Sequence, residues 1–100
     1  MAKQIIWSLQ AQKDKKEILH YWRIRNQSPV YPQKLNRLFK QAVLLLAEHP
    51  HIGRRTQREN IRVKLVRDYL IIYNETETRI EILTIWDNRR NPDDLENRLK

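Results

Sequence analysis

The sequence predicts an α+β fold: an N-terminal strand, a helical hairpin, a three-strand antiparallel meander and a short C-terminal helix. Three observations predict it. Apolar residues recur at three- and four-residue steps between Tyr31 and Glu48, the apolar period falls to two after Gly53, and a proline-led acidic segment, "NPDDLENRLK", closes the chain. Layering the helical pair on one face of an antiparallel sheet buries both kinds of stripe.

Taken in order, Lys3–Leu9 ("KQIIWSL") is a short apolar run suited to an opening strand. Ser8 is placed to cap a helix from about Gln10 to Asn26, with Ala11, Ile18, Leu19 and Trp22 on its apolar side and Lys13, Asp14, Lys16 and Glu17 outward. "NQSPVYP" breaks the pattern with two prolines and a serine. The second helix, Tyr31–Glu48, presents Leu35, Leu38, Phe39, Ala42, Leu45 and Leu46 as one stripe opposite Lys34, Arg37, Lys40 and Gln41. Pro50 ends it, and Gly53 tolerates the turn that follows.

Beyond Gly53, Ile61, Val63 and Leu65 alternate with Arg62 and Lys64, which predicts a strand with its cations on the outer face. "YLIIY" (Tyr69–Tyr73) is apolar on both faces and reads as a central strand, Asn74–Thr78 ("NETET") as a hairpin loop, and "RIEILTIW" as the last strand. Pro92 then starts the terminal helix with two acids in its first turn.

The chain has 100 residues, enough for one domain spanning 1–100, and 40% of them are hydrophobic. Cysteine is absent, which excludes disulfides, thiolate nucleophiles and cysteine zinc sites and fits a reducing cytoplasm. The longest apolar run, Ala42–Ala47, is far below the roughly 20 residues that span a bilayer. A net charge of +8 points to an anionic partner, nucleic acid or an acidic protein. Its distribution strengthens the point: Arg54, Arg55, Arg58, Arg62, Lys64 and Arg67 face a single acid, Glu59, between Gly53 and Arg67.

Arg62, Lys64, Arg67, Arg89 and Arg90 are therefore the candidate binding residues, converging on one sheet face or edge. The competing reading is a solvated basic face paired with Glu75, Glu77 and Glu81. In "IWDNRRNP", Ile85 and Trp86 belong to the core layer, Arg89 pairs with Asp87 or with Asp93 and Asp94, and Arg90 faces the open side beside Lys64 and Arg67. His49 and His51 flank Pro50 in a turn and His20 is distant, so no metal-ligand spacing is present. Ser8 lies in no nucleophile motif, and Trp7, Trp22 and Trp86 occupy apolar positions better suited to the core than to stacking bases. With no glycine-rich phosphate loop, no cofactor is expected.

Four segments together resemble the RelE/ParE superfamily of type II toxin–antitoxin toxins: "WSLQAQKDKKEILHYW", "LLLAEHPHIGR", "IRVKLVRDYLIIYNE" and "IEILTIWDNRRNP". The resemblance implies a bacterial toxin neutralised by a cognate antitoxin with an acidic or amphipathic segment. In the RelE-like branch, which cuts mRNA on the ribosome, an arginine follows the strand tyrosine in a pattern like "YRLVY", and a tyrosine or histidine stands near the C-terminus. Here Leu70 replaces that arginine and no histidine or tyrosine follows Tyr73, although Lys64 and Arg90 match basic positions of that branch. "YLIIY" and "EHPHIG" look more like the ParE branch, whose members poison DNA gyrase. The resemblance thus favours a non-enzymatic growth inhibitor. The alternatives are a ribosome-dependent ribonuclease using Lys64, Arg67 and Arg90 with Glu59 or His51 as base, and an inactive toxin-fold binding protein.

Overall fold

The computed structural model describes residues 2–99. Its elements are β1 (Gln4–Trp7), α1 (Leu9–Asn26), α2 (Val30–Glu48), a one-turn 3-10 helix (Pro50–Ile52), β2 (Arg54–Arg55), β3 (Ile61–Val66), β4 (Tyr69–Glu75), β5 (Arg79–Asp87) and α3 (Pro92–Arg98). This is the expected α+β order, with a two-residue β2 added. The sheet runs β1-β5-β4-β3-β2, so "YLIIY" is the central strand, and β1 joins β5 in parallel while every other pair is antiparallel.

Local chemistry accounts for the element ends. The Ser8 hydroxyl accepts from the Ala11 amide at 3.0 Å, the bond expected of an N-cap, and donates to the Leu83 carbonyl at 2.8 Å, which fixes α1 to β5 as well. At the start of α3 the Asn91 side chain accepts from the Asp93 amide. Gln27 closes α1 in the left-handed conformation at φ 51°.

The core between helices and sheet is built on Ala11, Leu35, Phe39, Val43, Leu46, Tyr69, Ile71, Tyr73, Ile80, Ile82 and Ile85. The α2 stripe differs from the expected one. Leu35, Phe39, Ala42 and Leu46 are buried as predicted, but Leu38 is half-buried and Leu45 is 45% exposed, while Val43 and Ala47 take the inner positions. The helix has rolled so that two small residues approach β1, where the Lys3 amide donates to the Ala47 carbonyl at 2.9 Å.

Two further expectations are corrected. Asp14 points inward and is 5% exposed, accepting hydrogen bonds from the Thr84 hydroxyl, the Ile85 amide and the Gln10 side chain. The strand β5 carries one extra residue there: Ile72 faces Thr84 while Tyr73 faces Ile82, and the carboxylate takes the amide that this bulge turns toward α1. The phase of β3 is also opposite to the expected one. Arg62, Lys64 and Val66 stand across from Tyr73, Ile71 and Tyr69, which belong to the helix-side core, so the cations lie on the helix face and Ile61, Val63 and Leu65 on the other.

Candidate target-binding surface

The register of β3 and β4 divides the basic residues between two ends of the sheet. At one end the hairpin between β3 and β4 turns on Arg67 and Asp68, with Arg67 held in the left-handed region at φ 56°. The Asp68 carbonyl accepts from the Asn88 amide at 2.8 Å, which brings the end of β5, and with it Arg89 and Arg90, beside the hairpin tip.

Arg89 pairs with Asp87, one of the partners expected for it. Its Nε and Nη2 donate to the two Asp87 carboxylate oxygens at 3.0 and 2.9 Å, and its backbone amide donates to Asp87 Oδ1 at 2.9 Å. Hydrogen bonds from Arg89 hold the Asp87 carboxyl below the usual range against the opposing effect of burial, and the same pair raises the Arg89 guanidinium. Arg90 follows a different course. Its guanidinium lies over the Trp86 ring, 4.3 Å from the centroid, and it forms no ion pair among the described residues. Trp86 is thus both a buried residue and the floor under Arg90, a role that its apolar position in the sequence did not signal.

A cleft of about 300 Å³ opens beside this end, between α1 and β5, with Glu17 and Tyr21 on one wall and Asp87, Arg89 and Arg90 on the other. Tyr69 lines it too. The Trp22 Nε1 donates to the Tyr69 hydroxyl at 2.7 Å, and burial raises that hydroxyl more than the hydrogen bond lowers it, so it stays protonated at neutral pH.

Arg62 is at the opposite end. It lies over the turn after α2, where Nη1 donates to the carbonyls of Gly53 at 2.9 Å and His51 at 3.3 Å. Beneath it the Tyr73 hydroxyl donates to the Pro50 carbonyl at 2.7 Å and accepts from the Gly53 amide at 3.1 Å. Gly53 is in ordinary extended backbone, φ −71°, and is required for space: a Cβ there would stand 2.3 Å from the Tyr73 hydroxyl. Lys64 sits midway and half-buried, across from Ile71. The structure therefore unites Arg67, Arg89 and Arg90, separates Arg62 from them, and puts Lys64 on the helix side rather than beside Arg90.

The acids expected to pair with the β3 cations are engaged elsewhere. Glu75 binds Lys3 at 3.0 Å and His51 at 2.8 Å, and Glu81 binds Arg79 at 3.6 Å and the Asn74 amide at 2.9 Å. Glu59 and His51, the two candidate bases, line a cavity at the Arg62 end, away from Arg67 and Arg90. No group of three or more His, Asp or Glu that could hold a metal ion occurs among the described residues, and no helix among them is long and apolar enough to cross a membrane.

The fold and its basic sheet ends define a small cationic α+β protein with the element order of the RelE/ParE toxins. Residues 5–92 match the ParE toxin of type II toxin-antitoxin systems, parDE, and the chain belongs to that family. A solved structure from the chromosomal ParDE TA system of P. aeruginosa is similar over 86% of this chain and 96% of its own, with a TM-score of 0.74 and 17% identity, a likeness of fold. No curated protein matches the chain.

Proposed function

We propose that this ParE-family chain arrests bacterial growth by binding a gyrase-type target rather than by cleaving RNA, and that a cognate antitoxin with an acidic or amphipathic segment neutralises it in the cytoplasm. The observation that carries the reading is the cluster at the hairpin end. Arg90 is pre-oriented on Trp86, Arg89 is locked on Asp87, and Arg67 is kept at a positive φ that costs an L-residue on the order of 1 kcal/mol. Arg62 and Lys64 extend the positive field along β3 toward the other end, where they add to the attraction for an acidic antitoxin.

The ribonuclease alternative needs a base, a phosphate-stabilising cation and an acid within reach of one phosphodiester. Its candidates are dispersed: Glu59 and His51 lie at one sheet end, Arg67 and Arg90 at the other, with Lys64 between them.

Induction of the wild type and of Arg90→Ala in bacteria, with separate readouts for DNA-damage response and mRNA cleavage, tests the proposal. The expected outcome is growth arrest with a damage response and intact mRNA for the wild type. The variant, folded by circular dichroism, should bind its target at least tenfold more weakly, as loss of a charge-assisted contact worth about 1.5–3 kcal/mol implies. Full toxicity of Arg90→Ala, or mRNA cleavage by purified wild type on ribosomes, overturns it.

A further inference from the structure

The solvent side of the two long helices has no part in that reading, and these helices carry most of the surplus charge. Lys13, Lys15, Lys16, Arg23 and Arg25 belong to α1, with Asp14 and Glu17. Lys34, Arg37 and Lys40 belong to α2, with Glu48. Eight bases against three acids thus place +5 of the net +8 on α1 and α2. Asp14 is buried on β5, so only Glu17 and Glu48 oppose the cations from the surface. None of the eight is paired with a carboxylate among the described residues, where the ion pairs join Lys3, His51, Arg79 and Arg89 to Glu75, Glu81 and Asp87.

Helical spacing gathers these charges on one side. Ala11, Asp14 and Ile18 set the inner face of α1, and Lys13, Lys16, His20 and Arg23, at steps of three and four, are exposed on the opposite side. On α2, Leu35, Phe39, Ala42 and Leu46 face the core, while Lys34, Arg37, Lys40 and Gln41 are exposed away from it. The two helices pack on each other and on the sheet, so both rows open to the side remote from the sheet. At the margins Lys15 lies over the Trp7 ring at 4.9 Å and Arg25 over the Trp22 ring at 5.9 Å, which steadies both cations and lids both rings.

We propose that this helical face binds the phosphate backbone of duplex DNA. Its charges are spread along two helices of 18 and 19 residues, each about 27 Å long, and are not gathered in a pocket, so they suit a regular polyanion better than a single anion. Over that length a duplex presents about 16 phosphates. Five of the eight cations are lysines, compact point charges that meet phosphates without the fixed geometry of a guanidinium, and the exposed Gln33, Asn36 and Gln41 add neutral donors. A single strand would need rings on which to stack its bases. Trp7 and Trp22 are half-buried under Lys15 and Arg25, and Tyr21, the exposed ring on these helices, lines the cleft on the Glu17 side. Arg89 and Arg90 also line that cleft, so the DNA face and the hairpin-end cluster are separate surfaces.

Fluorescence anisotropy with a labelled duplex of arbitrary sequence, titrated over a range of salt concentrations, tests this. The logarithm of the wild-type affinity should fall linearly with the logarithm of salt concentration. Lys16→Gln/Arg37→Gln, matched to the wild type by circular dichroism, should flatten that slope by about 2, close to one for each lost phosphate contact, and weaken binding roughly tenfold or more at low salt. Arg54→Gln/Arg79→Gln removes the same charge from the opposite face of the sheet, where Arg54 stands across from Val63 and Arg79 precedes the inward Ile80. It should bind within about twofold of the wild type, since no phosphate contact is lost. Equal weakening by the two pairs would reduce the effect to net charge and overturn the proposal. A single strand of the same length binding as tightly as the duplex overturns it, as does displacement of the duplex by polyglutamate at equal charge concentration.

Discussion

Asp14 stands on the buried side of α1 because β5 has one residue too many. The bulge leaves the Ile85 amide and the Thr84 hydroxyl facing α1, and the carboxylate of the sixth residue of that helix receives them. Asp14→Ala should leave a buried amide without its acceptor and cost about 1.5–3 kcal/mol, read as a lower urea midpoint with an unchanged m-value. Helical arithmetic already placed position 14 on the stripe of Ala11 and Ile18; its acidic side chain argued for solvent, and the bulge that reverses this lies 70 residues away. Gly53 carries a second constraint of this kind. Its backbone is unstrained, so the Tyr73 hydroxyl and the ring edge that carries it forbid a Cβ, and Gly53→Ala should cost about 1–3 kcal/mol as an overpacked site. Combining it with Tyr73→Phe, which removes the clashing oxygen, should recover part of that loss; a fully additive double variant would refute the steric explanation.

At the scale of elements, α2 and β3 show what periodicity decides and what it leaves open. The α2 sequence is apolar over more than half its circumference from Ala42 to Ala47, so its helical nature was legible but its roll was not; contact with β1 settled it in favour of Val43 and Ala47. Phe39→Ala should therefore cost about 3–5 kcal/mol, whereas Leu45→Ala should cost under about 1 kcal/mol, since nearly half of Leu45 is already in solvent. Leu38→Ala falls between them. Equal losses for Phe39 and Leu45 in chemical denaturation would restore the roll expected from sequence. In β3 the run "IRVKLV" ends in two consecutive apolar residues, so either face has apolar members, and its neighbour β4, apolar on both sides, cannot break the tie. The phase follows from pairing with Tyr69, Ile71 and Tyr73, and Arg62 keeps its head on the carbonyls of Gly53 and His51. The two-residue β2 lay below any periodic signal, and with it the β2–β3 register that sets Arg55 across from Arg62.

Over the whole molecule, the element order and the central strand were legible because each element carries its own local pattern. The adjacency of β1 and β5 was not, since it joins residues more than 70 positions apart that share no local pattern. Glu75 helps hold this long-range closure. At the end of β4 it binds Lys3, just before β1, and His51, in the turn after α2, so one carboxylate links the start of the chain, the helical pair and the sheet. Burial raises the Glu75 carboxyl, but the hydrogen bond and charge of Lys3, with His51 beside it, outweigh burial and leave it below its ordinary value. A depressed carboxyl stabilises the fold fully above its unfolded value of about 4.3, and that contribution is lost as pH falls through the folded value. Asp87, also depressed, acts in the same direction on the same acid limb. Glu75→Gln should thus be less stable than the wild type at pH 7, and the gap between their urea midpoints should narrow as pH falls below 4, where the wild type loses the charge that the variant already lacks. Asp87→Asn serves as the comparison, because it narrows the same gap without touching Lys3 or β1. A gap for Glu75→Gln that persists undiminished at pH 3 would show that the Glu75 site acts through packing, and that charge does not tie β1 to the end of β4.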